Sequence, residues 1–223
     1  KNFKEKFEIV YITSNQIMLK NKENNKKLFI KPTINQTIVS IKMIKDTFLI
    51  VLTKESLILG DINSEKMSEI HWTNSGKEKF DFSNPNVCMI FSSGEITLIE
   101  FGNNKILGYC RTEYIHNDLI SVRISSSSNQ LISGSNKSSA LKIIAYLIDL
   151  NTIYVQDLVA ENLLLSISHE EKIDYLEINK SGNKLVFRDR KKQLYLYNIL
   201  NSKKSTLLNF CGFVKWVQNS DVL

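Results

Sequence analysis

Four short runs of apolar residues, separated by polar turns, stand out between Lys172 and Asn209. The runs are Ile173–Ile178, Lys184–Arg188, Gln193–Ile199 and Ser205–Asn209. Runs of this length predict four β-strands joined by tight turns in one up-and-down antiparallel sheet. In the third strand, Leu194 and Leu196 point to one face of the sheet, because side chains alternate along a strand. Tyr195 and Tyr197 point to the other face, so both faces are apolar and both need a covering layer.

The same unit recurs with a period near 40 residues. The third strands end near Asp61, Phe101, Asp157 and Asn198, which gives steps of 40, 56 and 41 residues. A period near 40 with four strands per repeat is typical of WD-repeat propeller blades. The longer step contains an insertion rich in Ser, Gly and Asn, Ser125–Ala140, for which we expect a surface loop.

These patterns predict an all-β fold, a WD-repeat-like β-propeller of about five four-stranded blades in one domain over residues 1–223. The predicted blades span 1–34, 35–76, 77–116, 117–170 and 171–211, and a further blade begins at 212–223. The first blade is partial, with strands at Glu8–Ile12, Gln16–Leu19 and Lys27–Ile30, and Phe213–Val217 is the first strand of the last. Both ends look cut from a longer chain, so we expect neighbouring sequence to supply the missing blades.

The charge of the chain gives only weak evidence for a polyanionic partner. The net charge is +6, but 25 Lys accompany only 4 Arg and 23 Asn, a bias typical of an AT-rich genome. Pairs of lysines occur at Lys26-Lys27, Lys191-Lys192 and Lys203-Lys204. We interpret them as solvated turns, which leaves open a weak contact with anionic membrane lipid, and no nucleic acid is expected.

No constellation for catalysis, a cofactor or a metal is visible. The three cysteines are far apart and lie in apolar runs, which predicts buried free thiols: Cys88, Cys110 and Cys211. The histidines occur about once per blade, and we expect them at strand ends or in solvent: His71, His116 and His169. The sequence therefore predicts that the protein is not an enzyme.

Several charged and aromatic residues have an acid–base, capping or partner-binding alternative. We interpret Asp174 and Glu177, and Asp189 beside Arg188 and Arg190, as strand-end charges that pair across turns rather than as acid–base pairs. Matching strand-end positions make Asp61 and Asp157 turn-capping groups. Apolar runs place Trp72 and Trp216 in the core between blades, with a partner contact as the alternative.

Longer stretches of the chain resemble a known family. They are LILGDIN at Leu57–Asn63, SEIHW at Ser68–Trp72, NVCMIF at Asn86–Phe91, GEITLIE at Gly94–Glu100, RTE at Arg111–Glu113, LISVRI at Leu119–Ile124, AYLID at Ala145–Asp149, GNKLVFRDRK at Gly182–Lys191, NFCGFVKWV at Asn209–Val217 and SDVL at Ser220–Leu223. Together they resemble the intraflagellar transport protein 172 family, in its second N-terminal propeller. The resemblance covers Lys45 to Leu223, whereas the first 44 residues and the insertion depart from the pattern.

The resemblance implies a scaffold of the intraflagellar transport train that serves cilium assembly and transport along the axoneme. It implies protein partners, namely other subunits of intraflagellar transport complex B, bound through the rim or faces of the propeller. It places the protein in the cilium or flagellum, at the basal body and in the cytoplasm. A vesicle-coat-like scaffold, or a basic surface that binds anionic lipid or nucleic acid, are the alternatives.

Partner contacts are expected on the insertion and on one basic turn. The candidate residues are Ser125, Asn129, Asn136, Lys137, Lys191 and Lys192. Loops on a rigid frame often carry binding residues, which is the physical reason for choosing them.

Overall fold

The computed structural model describes residues 6–44, 47–83, 87–125, 141–217 and 220–223. Within these ranges the chain forms one three-stranded and four four-stranded sheets. In each sheet the strands are hydrogen-bonded in chain order, which is the up-and-down topology of a propeller blade. The all-β, propeller-like fold predicted from the sequence is therefore confirmed. No helix within the described ranges is long and apolar enough to cross a membrane.

Each sheet is formed by strands that are consecutive in the chain. The first sheet contains β1 (Phe7–Thr13), β2 (Gln16–Asn21) and β3 (Lys27–Ile30). The second contains β4 (Ser40–Ile44), β5 (Phe48–Leu52), β6 (Ser56–Asp61) and β7 (Lys66–His71). The third contains β8 (Lys79–Ser83), β9 (Val87–Ser92), β10 (Glu95–Glu100) and β11 (Ile106–Arg111). The fourth contains β12 (Ile120–Ser125), β13 (Leu141–Leu147), β14 (Thr152–Asp157) and β15 (Asn162–Ser168), and a 3-10 turn at Asn117–Leu119 precedes it. The fifth contains β16 (Ile173–Ile178), β17 (Lys184–Asp189), β18 (Leu194–Asn198) and β19 (Lys203–Leu208).

The same turn follows the third strand of several sheets. The side-chain oxygen of Asp61 accepts a bond from the N–H of Asn63 at 2.8 Å, and that of Asp157 accepts one from Val159 at 2.7 Å. The predicted turn-capping role of these two aspartates is confirmed. Four residues beyond each capping residue the backbone is left-handed, with φ of 56° at Glu65 and 53° at Glu161. The turn is therefore a repeated feature that marks one position in the blade.

The chain divides into two compact units. The first comprises residues 1–92 and 98–107, and the second comprises residues 93–97 and 108–223, so that the third sheet contributes to both. In the first unit, an aromatic cluster forms part of the core. Phe48 stacks on Phe82 with 4.2 Å between ring centroids, and Phe101 packs against both rings.

In the second unit, the core lies on both faces of the fifth sheet. Leu194 is buried in a cluster with Trp216, whereas Tyr195 and Tyr197 are buried in the larger cluster that includes Phe187. The prediction of two apolar faces is therefore confirmed. The core position predicted for Trp216 is also confirmed, and Trp72 is half-buried against the core of the first unit.

The predicted strand at Phe213–Val217 is wrong. These residues form no strand in the described part of the chain, because no second strand pairs with them there. The segment lies instead against the fifth sheet, where the guanidinium of Arg188 donates to the Gly212 carbonyl at 2.7 Å. The N–H of Val217 donates to the Val222 carbonyl at 2.8 Å. The assignment of residues 212–223 to a further blade stays a prediction.

Candidate interaction surfaces

Most of the predicted insertion contacts lie outside the described residues. Asn129, Asn136 and Lys137 belong to the stretch 126–140, and of Ser125 only the backbone, at the end of β12, is described. A partner-binding role of the insertion therefore stays a prediction.

The basic turn at Lys191 and Lys192 carries both cations in ion pairs. Lys192 Nζ lies 2.6 Å from Asp174 Oδ2, and Lys191 pairs with Glu171. The pKa of Lys191 is raised, because Glu171 accepts its hydrogen bond. Asp174 also accepts from Arg188 Nε at 2.7 Å, which agrees with the predicted pairing of strand charges. Carboxylates thus neutralise part of the charge that a polyanion would need.

Hydrogen bonds join the first strands of the fourth and fifth sheets within the second unit. The N–H of Ile178 donates to Ser121 Oγ at 3.0 Å. Arg123 Nε donates to the Ile178 carbonyl at 2.9 Å, and Arg123 Nη2 lies 3.1 Å from Glu177 Oε1. Both side chains are largely buried, so the pair is poorly screened by solvent and holds the two sheets in a fixed register.

Glu177 extends this connection to the C-terminal segment. Its Oε2 accepts from Tyr175 OH at 2.6 Å and from the N–H of Trp216 at 3.1 Å. The indole Nε1 of Trp216 donates to the Glu177 carbonyl at 3.0 Å. Burial, followed by the bond to Glu177, raises the pKa of Tyr175, so this hydroxyl remains a donor. Glu177 therefore serves as a structural anchor between the fourth and fifth sheets and the segment at Trp216.

A buried polar cluster occupies one end of the fifth sheet. Asp189 is 0% exposed and accepts from the N–H of Gln193 at 3.0 Å. Its Oδ2 lies 3.3 Å from His169 Nε2 and 3.3 Å from Tyr195 OH. His169 is also buried, in edge contact with the rings of Tyr195 and Phe187.

This cluster corrects one expectation. Asp189 bonds a buried histidine rather than pairing with Arg188 or Arg190. His169 directly follows β15, at a strand end as expected, and its side chain is buried. Periodicity did not reveal the contact, because the two residues are 20 positions apart in sequence and meet only when β15 and β17 lie in neighbouring sheets. A sequence signal was nevertheless present, since each residue ends or follows an apolar run.

A groove of about 550 Å³ lies in the second unit. It is lined by Glu95, Tyr109, Cys110, Arg111, Tyr146 and Gln156. Burial raises the pKa of the Cys110 thiol to about 12 and that of Tyr146 to about 12. Both groups therefore stay protonated near neutral pH, whereas a nucleophile needs a lowered pKa or an adjacent base. The predicted burial of the cysteines is confirmed, because Cys88, Cys110 and Cys211 are all free and buried.

Exposed large apolar side chains occur in both units. In the first unit they include Tyr11, Phe29 and Val39. In the second unit they include Phe210 and Phe213, which are three residues apart and mark a candidate contact surface. His71 and His116 are exposed as predicted, and no group of three or more metal-ligating side chains occurs in the described ranges.

Comparison with known proteins supplies the family. No family model matches the sequence. The chain is 44% identical over 223 residues to an intraflagellar transport protein 172 homolog of Danio rerio and 42% identical to that of Homo sapiens. It is 38% identical to intraflagellar transport protein 172 of Chlamydomonas reinhardtii.

These alignments cover 99% of this chain and 12% of each relative. The chain thus spans about an eighth of the length of the curated relatives it matches. Because the alignments take in almost the whole chain, they include the first 44 residues, for which we expected a departure from the family pattern. The chain therefore belongs to the intraflagellar transport protein 172 family, as a segment of it.

Proposed function

We propose that the chain is a non-catalytic protein–protein interaction module of the intraflagellar transport train, acting in cilium assembly and in transport along the axoneme. The observation that carries the proposal is the alignment of 99% of the chain, at 38–44% identity, with proteins named for intraflagellar transport. The protein is then located in the cilium or flagellum and at the basal body, with a cytoplasmic pool. Its partners are other subunits of intraflagellar transport complex B.

The architecture supports a scaffold. Buried hydrogen bonds between neighbouring sheets, such as the one from the N–H of Ile178 to Ser121 Oγ, fix the frame. Turns and outer strands then present side chains without a large loss of conformational entropy on binding. The outer strand β19 is exposed along its whole length and is one such surface.

The polar groups described above favour binding over catalysis. Glu177 and Asp189 accept hydrogen bonds from several protein donors each, which leaves them committed to the fold. The Cys110 thiol and the Tyr146 phenol, which line the groove, have raised pKa values. Groups held in this way stabilise a structure rather than transfer protons.

Affinity purification tests the proposal. The tagged full-length polypeptide that contains this chain is purified from an extract of ciliated cells, and the co-purifying proteins are identified by mass spectrometry. We expect complex B subunits in amounts comparable to the bait. Recovery of vesicle-coat subunits, or of nuclear proteins, without complex B subunits would contradict the proposal.

A salt titration separates the scaffold from a polyanion binder. Binding to DNA, or to vesicles containing anionic lipid, loses affinity steeply with salt in proportion to the phosphates contacted. We expect weak binding to both probes, because Lys191 and Lys192 are already paired. Tight binding with a steep salt dependence, abolished by Lys203→Ala with Lys204→Ala, would favour the alternative.

A further inference from the structure

A backbone hydrogen bond and a capping turn recur in the sheets. Together they show which strand of the repeat is missing from the first sheet among the described strands. In the second sheet, the N–H of Ile62, just after β6, donates to the Thr47 carbonyl, just before β5, at 3.0 Å. In the fifth sheet, Ile199 donates to Asn183, just before β17, at 2.9 Å. The fourth sheet has the matching bond from Leu158 to the Lys142 carbonyl at 2.8 Å. This bond therefore joins the end of the third strand to the start of the second.

The first sheet contains the same bond, from the N–H of Lys22 to the Lys6 carbonyl at 2.9 Å. Lys6 directly precedes β1, and Lys22 directly follows β2. The capping turn agrees, because Asn21 Oδ1 accepts from the N–H of Glu23 at 2.8 Å, and Asn25, four residues on, has φ of 57°. The backbone bond and the capping turn therefore both identify β1 and β2 as the second and third strands of the repeat.

The sequence supports this alignment. Residues 7–10 read Phe-Glu-Ile-Val, and residues 48–51, 41 positions later, read Phe-Leu-Ile-Val. The surroundings differ, because β5 pairs with β4 on one side and β6 on the other, whereas β1 is hydrogen-bonded only to β2 among the described strands. Tyr11 is 62% exposed, whereas Leu52, its counterpart in β5, is 3% exposed. An interior strand of the repeat thus lies at the edge of the first sheet.

The alternation of the ladder shows which groups of β1 face away from β2. Just before β5, the Thr47 carbonyl accepts from Ile62 on the side of β6. At the end of β5, the Leu52 carbonyl accepts from Val39, just before β4, at 2.7 Å. Alternate residues of an antiparallel strand bond to opposite neighbours. The corresponding positions in β1 place the backbone N–H and C=O of Ile9 and Tyr11 on the edge away from β2.

Strand β1 has little of the protection that a solvent edge usually carries. Natural edge strands carry charged side chains, above all lysine, or proline, bulges or a short length. The outer strand β19 begins with Lys203-Lys204, whereas β1 is seven residues long and reads FEIVYIT, with Glu8 as its one charge and a register shift between Tyr11 and Thr13. Apart from Glu8, its composition matches an interior strand such as β5.

We propose that the edge of β1 at Ile9 and Tyr11 binds one antiparallel strand from a segment of the same polypeptide outside these 223 residues. The occupant takes the place of the first strand of the blade. The first strands β8 and β12 of this chain read KFDFS and ISVRIS, so the expected occupant alternates apolar and polar residues over about five positions.

Two observations favour the same polypeptide over another molecule. In each of the other sheets, the first strand is the one that precedes the second in the chain, and strands that are consecutive in sequence usually pair. The relatives are about eight times as long as this chain, so the polypeptide offers ample further sequence. An intramolecular strand also has an effective concentration in the millimolar range, which a separate partner rarely reaches.

Hydrogen exchange of the monomeric full-length polypeptide tests whether the edge is occupied. The expected result is exchange at Ile9 and Tyr11 at least about a hundredfold slower than in exposed connectors, because a paired amide must open first. The amides of Ile50 and Leu52 are the matched controls, since they occupy the same positions in β5. Exchange of Ile9 and Tyr11 at the rate of the connectors would overturn the proposal.

Photo-crosslinking identifies the occupant. Position 11 of the full-length polypeptide is replaced by p-benzoylphenylalanine, and a mixture of light and isotope-labelled chains is irradiated. A crosslink within one chain to a segment outside residues 1–223 supports the proposal, and the same reagent at exposed Phe29 is the control. A crosslink within residues 1–223, between light and labelled chains, or to another protein overturns it.

Discussion

Removal of the Asp189 carboxylate is expected to destabilise the second unit strongly. Asp189 is fully buried and accepts from the N–H of Gln193 at 3.0 Å. It also lies 3.3 Å from His169 Nε2. In Asp189→Ala both of these groups lose their acceptor, whereas Tyr195 OH keeps Gln193 Oε1 at 2.5 Å.

The expected cost follows from these contacts. A hydrogen bond to a charged acceptor contributes about 1.5–3 kcal/mol, and a buried donor left without a partner costs about 1–3 kcal/mol. The backbone N–H of Gln193 is only partly buried, so a hydrogen bond to water replaces part of the energy that it loses. The imidazole of His169 is enclosed by Phe187 and Tyr195, and its Nδ1 has no partner in the described part of the chain, so it regains little. We therefore expect a loss of about 3 kcal/mol in the free energy of unfolding.

The assay is urea unfolding, followed by circular dichroism and tryptophan fluorescence. In a thermal unfolding scan of a chain of this length, a loss of about 3 kcal/mol in the free energy of unfolding corresponds to a fall in Tm of roughly 9 °C. Arg190→Ala is the matched control, because Arg190 is adjacent in sequence but exposed, and it should change stability by less than about 0.5 kcal/mol. A loss below about 0.5 kcal/mol for Asp189→Ala would refute the interpretation of the cluster as a structural element.

Three further predictions concern the anchor, a pH-dependent cap and a close contact. Glu177→Ala leaves a largely buried guanidinium unpaired and should cost about 2–3 kcal/mol in urea unfolding. Hydrogen bonds to Glu78, one of them from Trp72, outweigh the effect of burial and lower the pKa of this carboxyl to about 2. Its stabilising contribution is present above pH 4.5 and is lost as the pH falls towards 2, which Trp72 fluorescence should report. A Cβ on Gly60 would overlap Met67 Sδ, so Gly60→Ala should cost about 2 kcal/mol in the wild type and less than about 1 kcal/mol in a Met67→Ala background.

Each of these predictions has a control and a result that would contradict it. Glu170→Ala removes an exposed carboxylate seven positions before Glu177 in sequence and should be neutral, so equal losses in the two variants would exclude an anchor role. Glu78→Gln should abolish the change in fluorescence between pH 4.5 and 2, and persistence of the change would assign it to another group. An equal cost of Gly60→Ala in both backgrounds would show that Met67 is not the limiting contact.

The strands were largely predictable because each has a local signal. Alternating or continuous apolar runs bounded by turn residues placed β16 at Ile173–Ile178, as the structure has it. The spacing from Asp61 to Asp157 to Asn198 reflects a turn that depends on the capping side chain, so a residue type at a fixed position revealed the repeat. Such features depend on residues close in sequence and need no tertiary information.

The contacts between sheets were not predictable in the same way. The bond between His169 and Asp189 depends on how two sheets stack, and the local apolar runs place each residue at a strand end without showing that the two side chains meet. Glu177 resembled half of an acid–base pair with Asp174, but each carboxylate bonds a different arginine, which no spacing in the sequence shows. The strand expected at Phe213–Val217 failed for a related reason, since a strand needs a partner as well as an apolar run.

Live imaging tests whether this segment acts as a scaffold in intraflagellar transport. The full-length polypeptide, carrying a fluorescent tag, is followed in ciliated cells beside a version from which residues 6–223 are deleted. We expect that the intact polypeptide moves as particles along the cilium and that the deleted version no longer supports normal ciliary length. Intact polypeptide that stays on cytoplasmic vesicles or spreads evenly through the cell, or normal cilia with the deleted version alone, would contradict it.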